Sequence, residues 1–161
     1  MPGYKGHLFG GAAFYGCILF IAFQCGYYFS TFTIFRWLGF TLAGSLFPDI
    51  DTKSKGQKWL YRLLFVVLIF LLLLQRFDVF VGLSLLACLP LLVNHRGILH
   101  NIWFVIVLTA AIVFFIINIC KISNYNNIVC DAFFFIIGVA SHLWLDLGFL
   151  KMIAYKKRRR F

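Results

Sequence analysis

Apolar runs long enough to cross a bilayer recur along this chain with hardly a gap. Read against their interruptions, they place spans near residues 8 to 28, 32 to 48, 59 to 75, 77 to 94, 98 to 119 and 128 to 149. A membrane-crossing helix needs about 20 mainly apolar residues. A backbone inside lipid must also satisfy its hydrogen bonds within its own segment, which is what a helix does. The expected fold is therefore all-α: a polytopic transmembrane helical bundle of about six spans, with residues 1–161 forming a single integral membrane domain that ends in a basic tail over 151–161. Charged residues make up 12% of the chain against roughly 25% in a soluble domain, and no segment remains for a separate soluble catalytic domain. Any chemistry has to come from helix ends, short loops and groups buried between helices.

Charge supplies an independent check on the span count. With six spans, one side of the membrane receives Lys5, Lys53, Lys55, Lys58, Arg62, Arg96, Lys151, Lys156, Lys157, Arg158, Arg159 and Arg160, and the other receives only Arg36, Arg76 and Lys121. The positive-inside rule then predicts that both termini are cytoplasmic. The formal charge of +10 becomes a belt facing anionic headgroups, so membrane lipids are the expected partners and nucleic acid is not needed to explain it. The tail Lys156 to Arg160 reads first as a lipid-surface anchor and second as a contact for a cytoplasmic protein partner. The first apolar run lacks the charged leader and cleavage site of a removable signal peptide and is expected to stay as a span. Cys17, Cys25, Cys88, Cys120 and Cys130 contain no C-x-x-C pair and read as small buried hydrophobes, with a Cys120–Cys130 disulfide as the one conceivable bridge. Trp37, Trp59, Trp103 and Trp144 fall near span ends, as an interfacial aromatic belt would.

The ionisable residues are few enough to place one by one. His7 precedes the first span, Asp49 and Asp51 end the second within Leu46-Phe47-Pro48-Asp49-Ile50-Asp51, His95 and His100 bracket Arg96-Gly97-Ile98-Leu99, and His142 and Asp146 close the last. In the six-span topology all seven of these His and Asp residues fall at cytoplasmic helix ends. Ionisable groups in or beside spans cost several kcal/mol when unpaired, so such a gathering implies pairing, coordination or function. Imidazole and carboxylate together suit zinc, manganese or non-haem iron, whereas calcium prefers more oxygen. His142 and Asp146, four apart on a helix, share a face and can hold one ion. His95 and His100 are five apart, and Gly97 provides a turn that lets both approach one site. Pro48 disrupts the helix before Asp49 and Asp51, so these carboxylates can splay toward one or two ions. The ordinary alternatives are a headgroup-level histidine at His7 and surface contacts of Asp49 and Asp51 with Lys53 and Lys55. Asp78 and Asp131, on the other face, read as structural, with Arg76 and Lys121 as nearby partners.

Gly6-His7, Gly44-Ser45-Leu46-Phe47-Pro48-Asp49-Ile50-Asp51, His95-Arg96-Gly97-Ile98-Leu99-His100 and Ser141-His142-Leu143-Trp144-Leu145-Asp146 together resemble the motifs of the YdjM-like, LexA-binding family of inner-membrane metal-dependent hydrolases. Asn101 stands where that family often has serine. The H-x-x-x-D pair is more distantly similar to helical ligand pairs in zinc-dependent phospholipases C. The resemblance implies a metal-assisted hydrolase in a bacterial inner (cytoplasmic) membrane.

The leading expectation is hydrolysis of a phosphoester or ester bond in a lipid headgroup at the cytoplasmic leaflet, using one or two divalent ions, zinc first and manganese second. A bound ion lowers the pKa of its water toward about 7. The expected ligands are His7, Asp49, Asp51, His95, His100, His142 and Asp146. Asp49 is alternatively a general base, and Arg96 is placed to clamp a phosphate oxygen. A non-enzymatic, metal-stabilised membrane scaffold that binds a cytoplasmic partner through its tail is the rival, and it predicts a closed set of four protein ligands. A metal transporter fits less well, because transport sites lie near the bilayer midplane and these ligands are terminal.

Overall fold

The computed structural model describes residues 3–51, 55–77, 80, 81, 83, 84, 87, 99–120 and 125–148. Among these residues there are five continuous α-helices and no strand: α1 (Tyr4–Gln24), α2 (Thr31–Leu46), α3 (Lys55–Leu73), α4 (Ile102–Cys120) and α5 (Tyr125–Leu147). A 3-10 turn, Phe47–Asp51, continues directly from α2. Two helices are long and apolar enough to cross a membrane, α1 with 21 residues and α5 with 23. At 1.5 Å per residue they reach about 31 and 34 Å, the thickness of a bilayer's hydrocarbon core. Only 22% and 33% of their most apolar windows are buried inside the protein, so most of each helix faces outward, unlike the core helix of a soluble domain. The outward residues are large and apolar, with Phe9, Phe32, Leu73 and Phe114 among the most exposed. The expected span at 77 to 94 and the tail over 151–161 lie largely or wholly outside the described residues.

The local reasons for these elements are legible. Ser30 caps α2 through its hydroxyl, which accepts from the backbone N–H of Thr33. Gly26 turns the chain after α1 with φ +84, a left-handed conformation that a β-carbon would resist. Pro48 follows α2 by one residue and fits the tighter 3-10 turn that ends it. Hydroxyls inside the apolar interior bond back to their own helix: Thr41 to the Trp37 carbonyl, Thr109 to that of Val105 and Ser141 to that of Gly138. None of them is left to solvate itself in hydrocarbon.

α5 is the central element and packs on α1, α2 and α4, most extensively on α2. Two glycines permit that approach. A β-carbon on Gly44 would lie 2.1 Å from the Phe135 carbonyl oxygen, and one on Gly138 would lie 2.0 Å from that of Thr41. Small residues at a helix crossing replace the missing hydrophobic drive in lipid with close van der Waals contact. One apolar cluster joins Ile102 and Val105 of α4 to Val139 and Leu143 of α5. The second joins Tyr15 and Leu19 of α1, Trp37 of α2 and Phe134 of α5.

Two expectations change at this level, and one unforeseen ion pair appears. Trp37 is not in an interfacial belt; it is buried and stacked on Phe134 with ring centroids 4.6 Å apart, while Trp103 and Trp144 are exposed. Cys17 and Cys25 are exposed rather than buried, and Cys130 is a free, half-buried thiol. Asp131 pairs with Arg36 of α2 at 2.9 Å, because the glycine-mediated crossing brings α2 alongside the start of α5; Lys121 lies outside the described residues.

A candidate metal centre where four segments meet

His7 lies in the second turn of α1, because that helix begins at Tyr4 and takes in the residue expected to precede it. Asp49 sits in the 3-10 turn below α2, His100 in the turn before α4, and His142 and Asp146 in the last turns of α5. Residues far apart in sequence thus meet at one end of the bundle. His142 is at the centre. Its ring stacks on His7 with centroids 3.8 Å apart and planes at 19°, and meets His100 edge-on at 5.7 Å and 77°.

The protonation of His142 follows from its neighbour. Nδ1 lies 2.7 Å from the Ser45 carbonyl oxygen. A carbonyl oxygen only accepts, so Nδ1 carries the hydrogen and donates it, leaving a lone pair on Nε2. That lone pair faces two carboxylates, with Asp49 Oδ1 at 3.8 Å and Asp146 Oδ2 at 3.6 Å. His7 Nε2 is 3.5 Å from Asp146 Oδ1, and His100 Nε2 is 4.0 Å from Asp49 Oδ1. These separations are long for hydrogen bonds. They approach the spacing of about 3.4 Å between ligand atoms set tetrahedrally around an ion with bonds near 2.1 Å.

Burial makes the arrangement expensive without a cation. His7 is 1% exposed and His142 0%, and the Asp146 side chain is 6% exposed. His142 Nε2, Asp146 Oδ1, His7 Nδ1 and His100 Nδ1 are buried with no hydrogen-bond partner in the structure. Lone pairs and negative oxygens facing one another in a low-dielectric interior repel, and a positive ion between them removes that penalty. Two trios can hold one: His7, His142 and Asp146, and Asp49, His100 and His142, each with all ligand atoms within 4.8 Å of one another. This donor set of imidazole nitrogen and carboxylate oxygen fits a metal ion. The more open edge is formed by Asp49 and His100, whose side chains are 25% and 16% exposed.

A family model described as YdjM inner membrane protein matches residues 1–150, which include every residue of this centre. The chain belongs to the YdjM inner membrane protein family. No curated protein and no solved structure matches it. For this YdjM family member the chemistry therefore has to be read from the side chains themselves.

Of the seven expected ligands, His7, Asp49, His100, His142 and Asp146 come together. Asp51 ends the 3-10 turn, but its side chain, like His95 and Arg96 entirely, lies outside the described residues. Sequence reasoning attached no role to Ser45, whose backbone carbonyl orients His142, or to Gly138, whose missing side chain lets Ser45 reach it. Glycines inside apolar runs were the available signal for the second; a backbone carbonyl leaves none for the first. The Arg36–Asp131 pair, with Asn127 Oδ1 accepting from Arg36 at 3.4 Å, is a separate polar cluster, eleven residues before His142 along α5.

Proposed function

We propose that this chain is a multi-pass inner-membrane hydrolase that depends on one divalent ion and cleaves a phosphoester or ester bond of a lipid headgroup at the cytoplasmic leaflet. The observation that carries the reading is the buried His142 Nε2 lone pair facing Asp49 Oδ1 at 3.8 Å and Asp146 Oδ2 at 3.6 Å. One ion rather than two follows from the same atom, because both trios need His142 Nε2 and an imidazole whose Nδ1–H is engaged offers a single lone pair. Zinc is the first choice and manganese the second.

A bound ion would supply Lewis acidity and lower the pKa of its water toward about 7. The protein's own groups do the rest. His7, His142 and Asp146, all deeply buried, would hold the ion and shield it from water on that side. Asp49, on the more exposed edge, accepts a proton from a water approaching from that side. Ser45 keeps the His142 ring in its binding tautomer. Arg96 as a phosphate clamp and His95 and Asp51 as further ligands are proposed from the sequence pattern alone.

Six spans with both termini cytoplasmic belong to this reading. It is supported by the charge asymmetry of the loops and by the site gathering residues 7, 49, 100 and 146 at one end, which fits segments that alternate in direction. The tail Lys156 to Arg160 anchors that side to anionic lipid. A metal-stabilised scaffold that recruits a cytoplasmic partner is the second reading, and it requires a closed set of four protein ligands, for which the two trios that share His142 supply the candidates.

The test is metal per chain in detergent-purified protein, wild type against His142→Ala and Asp146→Ala, followed by headgroup release from phospholipid vesicles. Stoichiometric metal in the wild type alone, with release stopped by chelator and restored by zinc or manganese, is expected. Metal without turnover would leave the scaffold, and equally little metal in all three proteins would remove both readings.

A further inference from the structure

We infer that the outer face of α3 seats one anionic phospholipid, its phosphate at Lys58 and Arg62 and an acyl chain along Phe65 and Val66. A groove of ≈ 700 Å³ opens there, lined by these four residues with Gln57 and Tyr61. Lys58 and Arg62 are both exposed and, four apart, project from one face of the helix. Phe65 and Val66 follow Arg62 by three and four residues on the same side, so the lining turns from cationic to apolar within about 12 Å of helix rise. That is the order in which a phospholipid passes from phosphate to hydrocarbon. The guanidinium can grip phosphate oxygens in pairs, while the ammonium adds a second charge. Tyr61 is fixed as part of the wall by donating its hydroxyl to the Ala87 carbonyl at 3.1 Å.

Two further observations choose a lipid over a soluble anion or an acidic protein. Beyond the groove α3 continues with exposed Ile69, Phe70 and Leu73, a surface for hydrocarbon. α3 also packs against the 3-10 turn that carries Asp49, so the seat and the metal centre are carried on adjoining elements. As a statement about substrate the inference rests on the hydrolase reading above, whereas as a statement about binding it stands alone.

The experiment is native mass spectrometry of the detergent-purified full chain offered equal amounts of phosphatidylglycerol and phosphatidylcholine, with metal per chain measured on the same samples. Wild type should retain phosphatidylglycerol preferentially. Lys58→Gln with Arg62→Gln should lower that preference about 30-fold, from roughly fivefold for each basic side chain beside an anionic headgroup, with metal content unchanged. Val66→Trp, which fills the apolar half and leaves both charges, should lower retention of either lipid. A double variant that keeps the wild-type preference, or release of the lipid by inorganic phosphate alone, would overturn the seat. A wild type that holds metal but shows no lipid preference would overturn the seat and spare the hydrolase. Lipid preference in a wild type that binds no metal would do the reverse.

Discussion

Gly138→Ala should weaken metal binding although Gly138 touches no ligand atom. The added β-carbon would sit 2.0 Å from the Thr41 carbonyl oxygen and 2.8 Å from the Ser45 nitrogen, both backbone atoms of α2 that cannot swing aside. Reaching the 3.4 Å at which ordinary contact begins requires α2 and α5 to part by about 1.4 Å at that level. Ser45 rides on α2, so the 2.7 Å contact from His142 Nδ1 to its carbonyl stretches toward about 4 Å, beyond hydrogen-bonding range. His142 then loses the partner that fixes its tautomer, and Asp49, carried below the same helix, moves with it. Loss of an orienting contact of this kind typically costs roughly 10- to 100-fold in metal affinity, and overpacking costs about 1–3 kcal/mol of stability. The assay is competition for zinc against a chromophoric chelator in detergent, with helicity followed by circular dichroism. A folded Gly138→Ala protein with wild-type zinc affinity would refute the claim that this crossing sets the geometry of the site.

Because His142 Nε2 belongs to both trios and His100 to one, His142→Ala should bring metal per chain to background, while His100→Ala should keep a measurable fraction in elemental analysis. Asp146→Asn, which keeps the size but removes the charge, should bind zinc more weakly than Asp49→Asn, since Asp146 is the more deeply buried of the two; equal titrations would contradict the ranking. Arg36→Ala leaves Asp131 without its cation and should lower stability by about 2 kcal/mol, below the 3–5 of a fully buried pair because this one is partly exposed. Thermal unfolding in detergent should show that loss, adding Asp131→Asn should restore most of it, and metal content should stay at the wild-type value in both.

The sequence by itself determined that this chain is helical and made for lipid. Runs such as Leu63 to Leu74 and Ile102 to Ile117 admit few other solutions, because a backbone in hydrocarbon must bond to itself. It also singled out the side chains that gather at the candidate metal centre. Ionisable residues are so scarce here that His7, Asp49, His100, His142 and Asp146 could be found by position alone, and the i, i+4 spacing already put His142 and Asp146 on one face. Periodicity could not say which apolar faces turn inward, since lipid and protein interior accept the same residues; that is why Trp37 read as interfacial and proved to be core, and why Arg36 was not foreseen as a partner of Asp131.

Only the tertiary structure decided how the ligands meet. His7 reaches His142 because α1 begins early enough to carry it into the bundle, and His142 is aimed by a carbonyl from a helix 97 residues away in sequence. Such a contact depends on the distance between two backbones, set at Gly44 and Gly138 by the absence of side chains. Composition and spacing record which atoms a chain possesses. The separation of packed helices decides which lone pairs end up facing one another, and at His142 that separation leaves a place for a cation.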